Sequence, residues 1–303
     1  MLDSPFALRS LLARSGIPAR PTALSRNARD PRPVVVVLGC GDVGSAVAHT
    51  LHVAGFATVL IDEADPPWPR RGMAFVDAWY VGSADLAGVH ACFCASVRSI
   101  PVVLERREMI AATTWSWRGV AAALAPVALV DARVAKRSAP ARLKPHQPSS
   151  LLTVGAGPGY RVGEHVDVAV ETAWGEHLGT VVDRGGTQPF DGQTHALGGA
   201  GRERFAFAPR AGRFHTHARI GERVAASGVV ASLDALDVLA PIAGVLRGVS
   251  ARGARVVAGQ KLVEVDPRGD PALCFGIGER AARIAAGVLE ALALRGVTAA
   301  ATP

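Results

Sequence analysis

The chain has 303 residues, of which 49% are hydrophobic and 19% charged, with four cysteines and a formal net charge of +7. That balance excludes a disordered or fibrous chain and leaves room for two or three domains with cores of their own. No apolar run reaches the roughly 18 residues of a membrane helix and no signal-peptide core is found, so a cytoplasmic protein without membrane contact is expected.

The excess charge is local. Residues 1–33 hold six arginines against Asp3 and Asp30, a net of +4, which leaves +3 for everything beyond. Residues 1–32 read as a disordered Arg-rich extension, a composition that organelle transit peptides share. Lysine occurs only at 136, 144 and 261, and no basic stripe is interleaved with aromatic residues. Nucleic acid is therefore not an expected partner.

Residues 33–150 are expected to form a Rossmann-like nucleotide-binding domain, an α/β unit built on a parallel sheet. Val34 to Leu38 reads as a buried parallel strand. It leads into the turn Gly39-Cys40-Gly41-Asp42-Val43-Gly44 and then a helix of small and apolar residues that stops at Gly55. A second strand, Ala57 to Ile61, ends in Asp62-Glu63. In such a unit Gly39, Gly41 and Gly44 let the backbone approach a pyrophosphate at the helix N-terminus, and Asp62 accepts ribose hydroxyls. The same turn also occurs in sheets that bind nothing. Asp42 beside phosphates would need a neutralising partner, a magnesium ion for example, or else it caps the helix.

Pro66 to Arg71 reads as a rigid basic loop in which Arg70 and Arg71 clamp anionic groups or are simply solvated. Ile100 to Leu104 is predicted as a strand, Trp115 to Leu124 as a helix and Val127 to Asp131 as a strand. Asp131 ends that strand and Lys136 follows it, so both are candidate catalytic groups. Ala139 to Ser150, with three prolines, reads as a linker.

Residues 151–207 are expected to be a β-rich domain. The turn Gly155-Ala156-Gly157-Pro158-Gly159-Tyr160 is a candidate anion nest formed by Gly155, Gly157 and Gly159. It is not a P-loop, because no Lys-Ser/Thr follows. Asp167 and Glu171 share a face of the alternating strand Val166 to Thr172, and Leu178 to Val182 reads as its partner.

Residues 208–272 carry a pseudo-repeat. Ala208-Pro209 to Phe214 with Ile220 to Val224 matches Ala240-Pro241 to Leu246 with Ala251 to Leu262. The pattern is that of a biotinyl/lipoyl-like hammerhead, a barrel-sandwich of two interlocked halves. The connecting stretch Val229 to Val238 has no lysine, which excludes a swinging-arm carrier. His215 and His217 share a strand face without a third ligand, and Cys92-Phe93-Cys94 is too tight for zinc, so no metal is expected. Residues 273–303 are read as a C-terminal helix and tail, with an amphipathic helix over Glu279 to Leu294. Cys274 precedes it beside an arginine, where a reactive thiolate is a candidate and a buried apolar thiol the plainer alternative.

Several of these segments together resemble one family. Gly39-Cys40-Gly41-Asp42, His49, Leu51-His52, Gly55-Phe56, Arg70-Arg71, Leu129 to Ala132, Gly155 to Tyr160, Val170-Glu171-Thr172, Gly175 to Gly179, Asp266 to Asp270, Cys274 and Gly287 to Ala291 are similar to the YqeB-type accessory proteins of selenium-dependent molybdenum hydroxylases. The resemblance runs in order over about residues 34–292. It departs where Cys40 replaces a glycine and where the segment between Gly82 and Ile100 is shortened. It implies a maturation role, with a molybdenum hydroxylase as client and a nucleotide or molybdopterin dinucleotide as ligand. The alternatives are an NAD(P)-dependent oxidoreductase, for which no Tyr-x-x-x-Lys is found, and a non-catalytic scaffold.

Overall fold

The computed structural model describes residues 32–136, 138–143 and 150–299, so the extension expected over 1–32 lies almost wholly outside the described residues. Val34–Leu38 (β1) is an unbroken apolar run, and four consecutive valines suit a strand covered on both faces. It pairs in parallel with Ala57–Ile61 (β2) on one side and Ala128–Asp131 (β6) on the other. Met109–Thr113 (β5) and Val89–Phe93 (β4) continue the sheet beyond β2. Leu152–Ala156 (β7) and Val168–Val170 (β8) continue it beyond β6. Ser83–Leu86 (β3) and Val181–Val182 (β9) close its two edges in antiparallel sense. Among the described residues the order is β3-β4-β5-β2-β1-β6-β7-β8-β9, and the order of strand addition reverses between the parallel strands β1 and β6.

The sheet therefore does not stop at Ser150. Residues expected to form a separate β-rich unit supply three of its strands.

Alternation along β1 sends Val35 and Val37 to one face and Val36 and Leu38 to the other. The first face is covered by Asp42–Val53 (α1) and by Glu279–Leu294 (α5), which seats Ile284, Val288 and Leu292 beside Leu51 and Val170. The opposite face is covered by Ile100–Glu105 (α3) and Trp117–Leu124 (α4). A short helix, Asp77–Val81 (α2), precedes β3.

Ile100 to Leu104 corrects the strand expected there. Pro101 occupies the first helical turn, where its missing N–H costs nothing, and Ile100, Val103 and Leu104 bury one helical face. A β-branched pair inside a five-residue run reads equally as strand or helix until its packing partner is known.

Residues beyond 204 form the predicted sandwich. One four-stranded sheet orders Phe205–Phe207 (β10), Lys261–Asp266 (β17), Gly244–Val249 (β15) and Arg223–Val224 (β12). The other orders Leu236–Leu239 (β14), Val229–Leu233 (β13), Gly212–His215 (β11) and Arg255–Val256 (β16). The halves interlock, since β12 of the first repeat pairs with β15 of the second, and β16 of the second pairs with β11 of the first. Phe214, Leu233, Leu246 and Leu262 fill the space between the sheets. The β13–β14 hairpin turns at Asp234-Ala235, so an aspartate and an alanine stand where a carrier lysine would.

Close approach, more than side-chain volume, seats α5. A Cβ on Gly287 would lie 2.0 Å from the carbonyl oxygen of Gly179 and 2.9 Å from Val170 Cγ1. Gly287→Ala is expected to cost about 1–3 kcal/mol by overpacking, read in calorimetry as a Tm several degrees lower. An unchanged Tm would show that α5 does not sit against Gly179.

Candidate functional site

The carboxyl ends of parallel strands and the first residues after them gather at one edge of the sheet. In open α/β sheets this edge, at the point where strand order reverses, is where ligands bind. Here it also faces the sandwich, and the Pro66–Met73 loop joins the two. Pro69 accepts a hydrogen bond from the Val249 amide at 2.9 Å, and Gly72 accepts one from the Gly276 amide at 3.0 Å.

The glycine-rich turn after β1 is tightly built. Gly39 has φ +100°, and a Cβ on Gly44 would lie 1.8 Å from the Gly39 carbonyl oxygen, so α1 can start only with glycine there. The turn is covered by the protein itself. The Trp68 indole lies over Gly41, 3.0 Å from where a Cβ would stand, and Arg133 lies against Gly39. Asp62 accepts from the Cys40 amide at 2.6 Å and the Trp68 indole N–H at 2.8 Å, and its other oxygen accepts from the Glu63 amide. The side chain expected to meet a ribose thus holds the turn and its indole cover. Burial, with Asp62 nearby, pushes the Cys40 thiol well above its ordinary range.

Arg70 crosses from the loop to both halves. Its Nη1 donates to Asp42 at 2.6 Å, while Nε and Nη2 grip Glu264 of β17 at 2.7 and 2.8 Å. Glu264 is fully buried and also faces Arg204 at 3.3 Å. Burial alone would raise both carboxyls, but Arg70 outweighs it and holds each below the usual range. Asp42 therefore meets a guanidinium, and it also accepts from the Val43 amide at 3.1 Å. Arg71 is paired with Asp77, at 2.5 Å.

A second wall is built from β8. Buried Glu171 accepts from the amides of Thr172, Ala173 and Gln188, each at 2.7 Å, tying the end of the strand to the 188–199 loop. The Thr172 carbonyl accepts from Arg280 at 2.7 and 3.2 Å. Arg280 sits in the first turn of α5, where a cation opposes the helix dipole. Lys136 lies 4.9 Å from the Phe190 ring centroid, and Lys261, at the start of β17, lies 3.6 Å from that of Phe205.

Arg70, Lys136, Lys261 and Arg280 are close enough to bear on one another's ionisation, and Asp42 feels three of them. Burial, with Arg70 and Lys136 against it, holds the Lys261 ammonium down to about 8 despite Glu264 and Asp42. Burial, Arg280 and Arg70 likewise lower Lys136. The result is a cluster of four cations about Asp42 and Glu264 where the sheet edge meets the sandwich.

The other candidates lie apart from it in role. Asp131 is buried and paired with Arg133 at 2.6 Å, and burial together with Asp131 pushes the Tyr160 hydroxyl well above its ordinary range. Gly155 and Gly157 make room for the Tyr160 ring, which a Cβ on Gly155 would approach to 2.5 Å. Gly159, at φ +75°, donates to the Gln188 carbonyl. Asp167 accepts from the amide and hydroxyl of Thr153. Cys274 is fully buried, and burial pushes its thiol up, which corrects the expectation of a favoured thiolate. Lys261, Arg280, Glu264 and Trp68 were not among the expected site residues. An acid and a lysine three apart in the apolar run Lys261-Leu262-Val263-Glu264 were the available signal.

Comparison with known proteins gives one clear relative. The chain is 31% identical over 259 residues to the uncharacterized protein YqeB of Escherichia coli (strain K12), covering 86% of this chain and 47% of that protein. The chain thus spans about half the length of that relative. The similarity agrees with the YqeB-type resemblance of the motifs. No family model matches. Two solved structures, a succinylglutamate desuccinylase/aspartoacylase from Rhodobacter sphaeroides and the ectoine utilization protein EutE (DoeB) from Ruegeria pomeroyi, are each 11% identical. Each match covers 77% of this chain and 85% of the other, with a TM-score of 0.22. That score supports no argument about fold or activity. Among the described residues no helix is long and apolar enough to cross a membrane.

Glu264→Ala is expected to destabilise the protein by about 3–5 kcal/mol, because Arg204 and Arg70 lose their buried counter-charge. In the parent chain, the depressed carboxyl contributes stability that is present above the unfolded glutamate pKa of about 4.3 and lost as pH falls through the folded value below it. Urea titrations of both chains at pH 7 and below pH 4 check this. Equal stabilities at pH 7 would show that Glu264 does not balance the arginines.

Proposed function

We propose that the chain is a maturation module for a molybdenum hydroxylase. In this reading it holds a phosphate-bearing cofactor, of nucleotide or molybdopterin-dinucleotide type, in the crevice between sheet and sandwich. The observation that carries this reading is the convergence of Arg70, Lys136, Lys261 and Arg280 beyond the carboxyl ends of β1 and β6. Four cations against Asp42 and Glu264 repel one another in a partly desolvated space, and a bound polyanion relieves that repulsion. The similarity to YqeB agrees with the YqeB-type motifs, and it is the resemblance of those motifs that implies an association with hydroxylase maturation.

The residues fit the phosphates of such a group better than they fit a dinucleotide lying over β2. That pose would require Trp68 to leave Gly41 and Asp62 to release its three donors. The same cover weighs against the NAD(P)-dependent oxidoreductase. In the crevice Lys136 and Lys261 supply mobile point charges, and Arg280, fixed by Thr172, supplies an oriented one. Binding and hand-over to the client are the roles these residues support. No step is assigned to Cys40 or Cys274, whose thiols are buried and held protonated.

The test is mass spectrometry of small molecules released from gently purified protein, beside a Lys261→Ala/Arg280→Ala variant. A phosphate-bearing molybdopterin species, lost in the variant, is the expected result. Recovery of NAD(H) or NADP(H) instead would overturn the reading. Affinity also depends on pH. A nucleoside diphosphate is fully ionised above about pH 7.5, given a phosphate pKa near 6, whereas Lys261 loses its proton through about 8. Binding of GDP, measured by calorimetry, should therefore weaken as pH rises from 7.5 to 9.5. Lys261→Arg should remove most of that slope, and Lys261→Ala should weaken binding about tenfold at pH 7.5.

A further inference from the structure

The rim of the crevice on the β8 side is aromatic. Trp174 follows Thr172 by two residues and is 47% exposed. The His195 ring stacks on its indole at 3.9 Å between centroids and 16° between planes. The guanidinium of Arg280 stands 6.0 Å from the same indole, so one residue links the aromatic rim to the cation cluster. Phe190, on the loop that carries His195, holds the Lys136 ammonium against its face. On the β2 side, by contrast, Trp68 donates its indole N–H to Asp62 and covers Gly41.

We propose that Trp174 and His195 form the stacking subsite for a planar heterocycle whose phosphates rest on Lys136, Lys261 and Arg280. The ligand class is a nucleoside diphosphate or its dinucleotide, extended across the ends of β6, β7 and β8 rather than over β2. This rests on the reading of the crevice as a phosphate site and names where the rest of the ligand goes. An exposed indole stacked on an imidazole already presents the spacing and near-parallel geometry a base requires. Rings at 3.9 Å leave no gap for a third, so the base takes the place of His195 and the indole keeps a stacked partner. Base–aromatic stacking is worth a factor of about ten or more per base in affinity and tolerates different bases, because every base has a π-face. The subsite therefore selects for a heterocycle without specifying which one.

The experiment is calorimetric titration of the full chain with GDP and with inorganic pyrophosphate at pH 7.5, for the parent, Trp174→Ala and Trp174→Phe. GDP is expected to bind the parent about tenfold tighter than pyrophosphate. Trp174→Ala should erase that preference while leaving the pyrophosphate affinity unchanged, which also shows that the variant is folded. Trp174→Phe should keep most of the preference. Equal affinities of the parent for the two probes, or a Trp174→Ala variant that still prefers GDP, overturns the subsite while the phosphate reading stands. Failure of the parent to bind either probe overturns both.

Discussion

The molecule is organised around one guanidinium. Arg70 lies between a sheet whose strands are buried on both faces and a sandwich with its own core, and it meets a carboxylate of each. Glu264 is fully buried, and a charge there is tolerable only while arginines remain in place to balance it. The electrostatics thus fix where the sandwich sits relative to the first turn of α1. Hydrophobic burial builds each half, but it is non-directional and does not set that relation. The bidentate geometry of Arg70 on Glu264 does, because a planar fork accepts a carboxylate in few orientations.

The crevice follows from that docking. Its charged groups come from beside β6, β8, β17 and α5, elements distant in sequence, and its four cations outnumber the carboxylates Asp42 and Glu264. A conventional dinucleotide turn is present as backbone, yet its outer face is taken up by Trp68 and its acid by internal donors. The helix start keeps the shape of a phosphate site while its charge partner is Arg70. Shape and chemistry have separated, so a motif that describes backbone alone describes only part of this edge.

Much of the fold was legible because its signals are local. The β1 valines, the turn after them, β2 and the Ala-Pro-x-x-Gly pseudo-repeat each carry their meaning within about a dozen residues. Met109–Thr113 was not legible, since its two alanines disfavour a strand and offset Ile110 and Thr113 until β2 lies beside them. Ile100–Glu105 misled because a short apolar run has no period long enough to choose between strand and helix. The site divided in the same way. Asp42, Arg70 and Lys136 stand beside recognisable turns and strand ends, whereas Lys261, Glu264 and Arg280 acquire meaning only from tertiary contact. Asp62 and Gly155 were legible as special positions, but what fills the space next to them, Trp68 and Tyr160, was not.

The antiparallel strands that end the large sheet have an effect beyond the site. At one edge, β9 has two residues, Val181 and Val182, both half-buried. At the other, β3 has four and exposes Asp85, which pairs with His90 across the hairpin at 2.9 Å. A long sheet of valine-rich strands is a ready template for addition of strands from other chains, and the hazard lies in its unpaired edges. Here one edge is too short to template a partner and the other bears charge. The strands most prone to aggregate, β1 and its neighbours, are kept several positions from either margin.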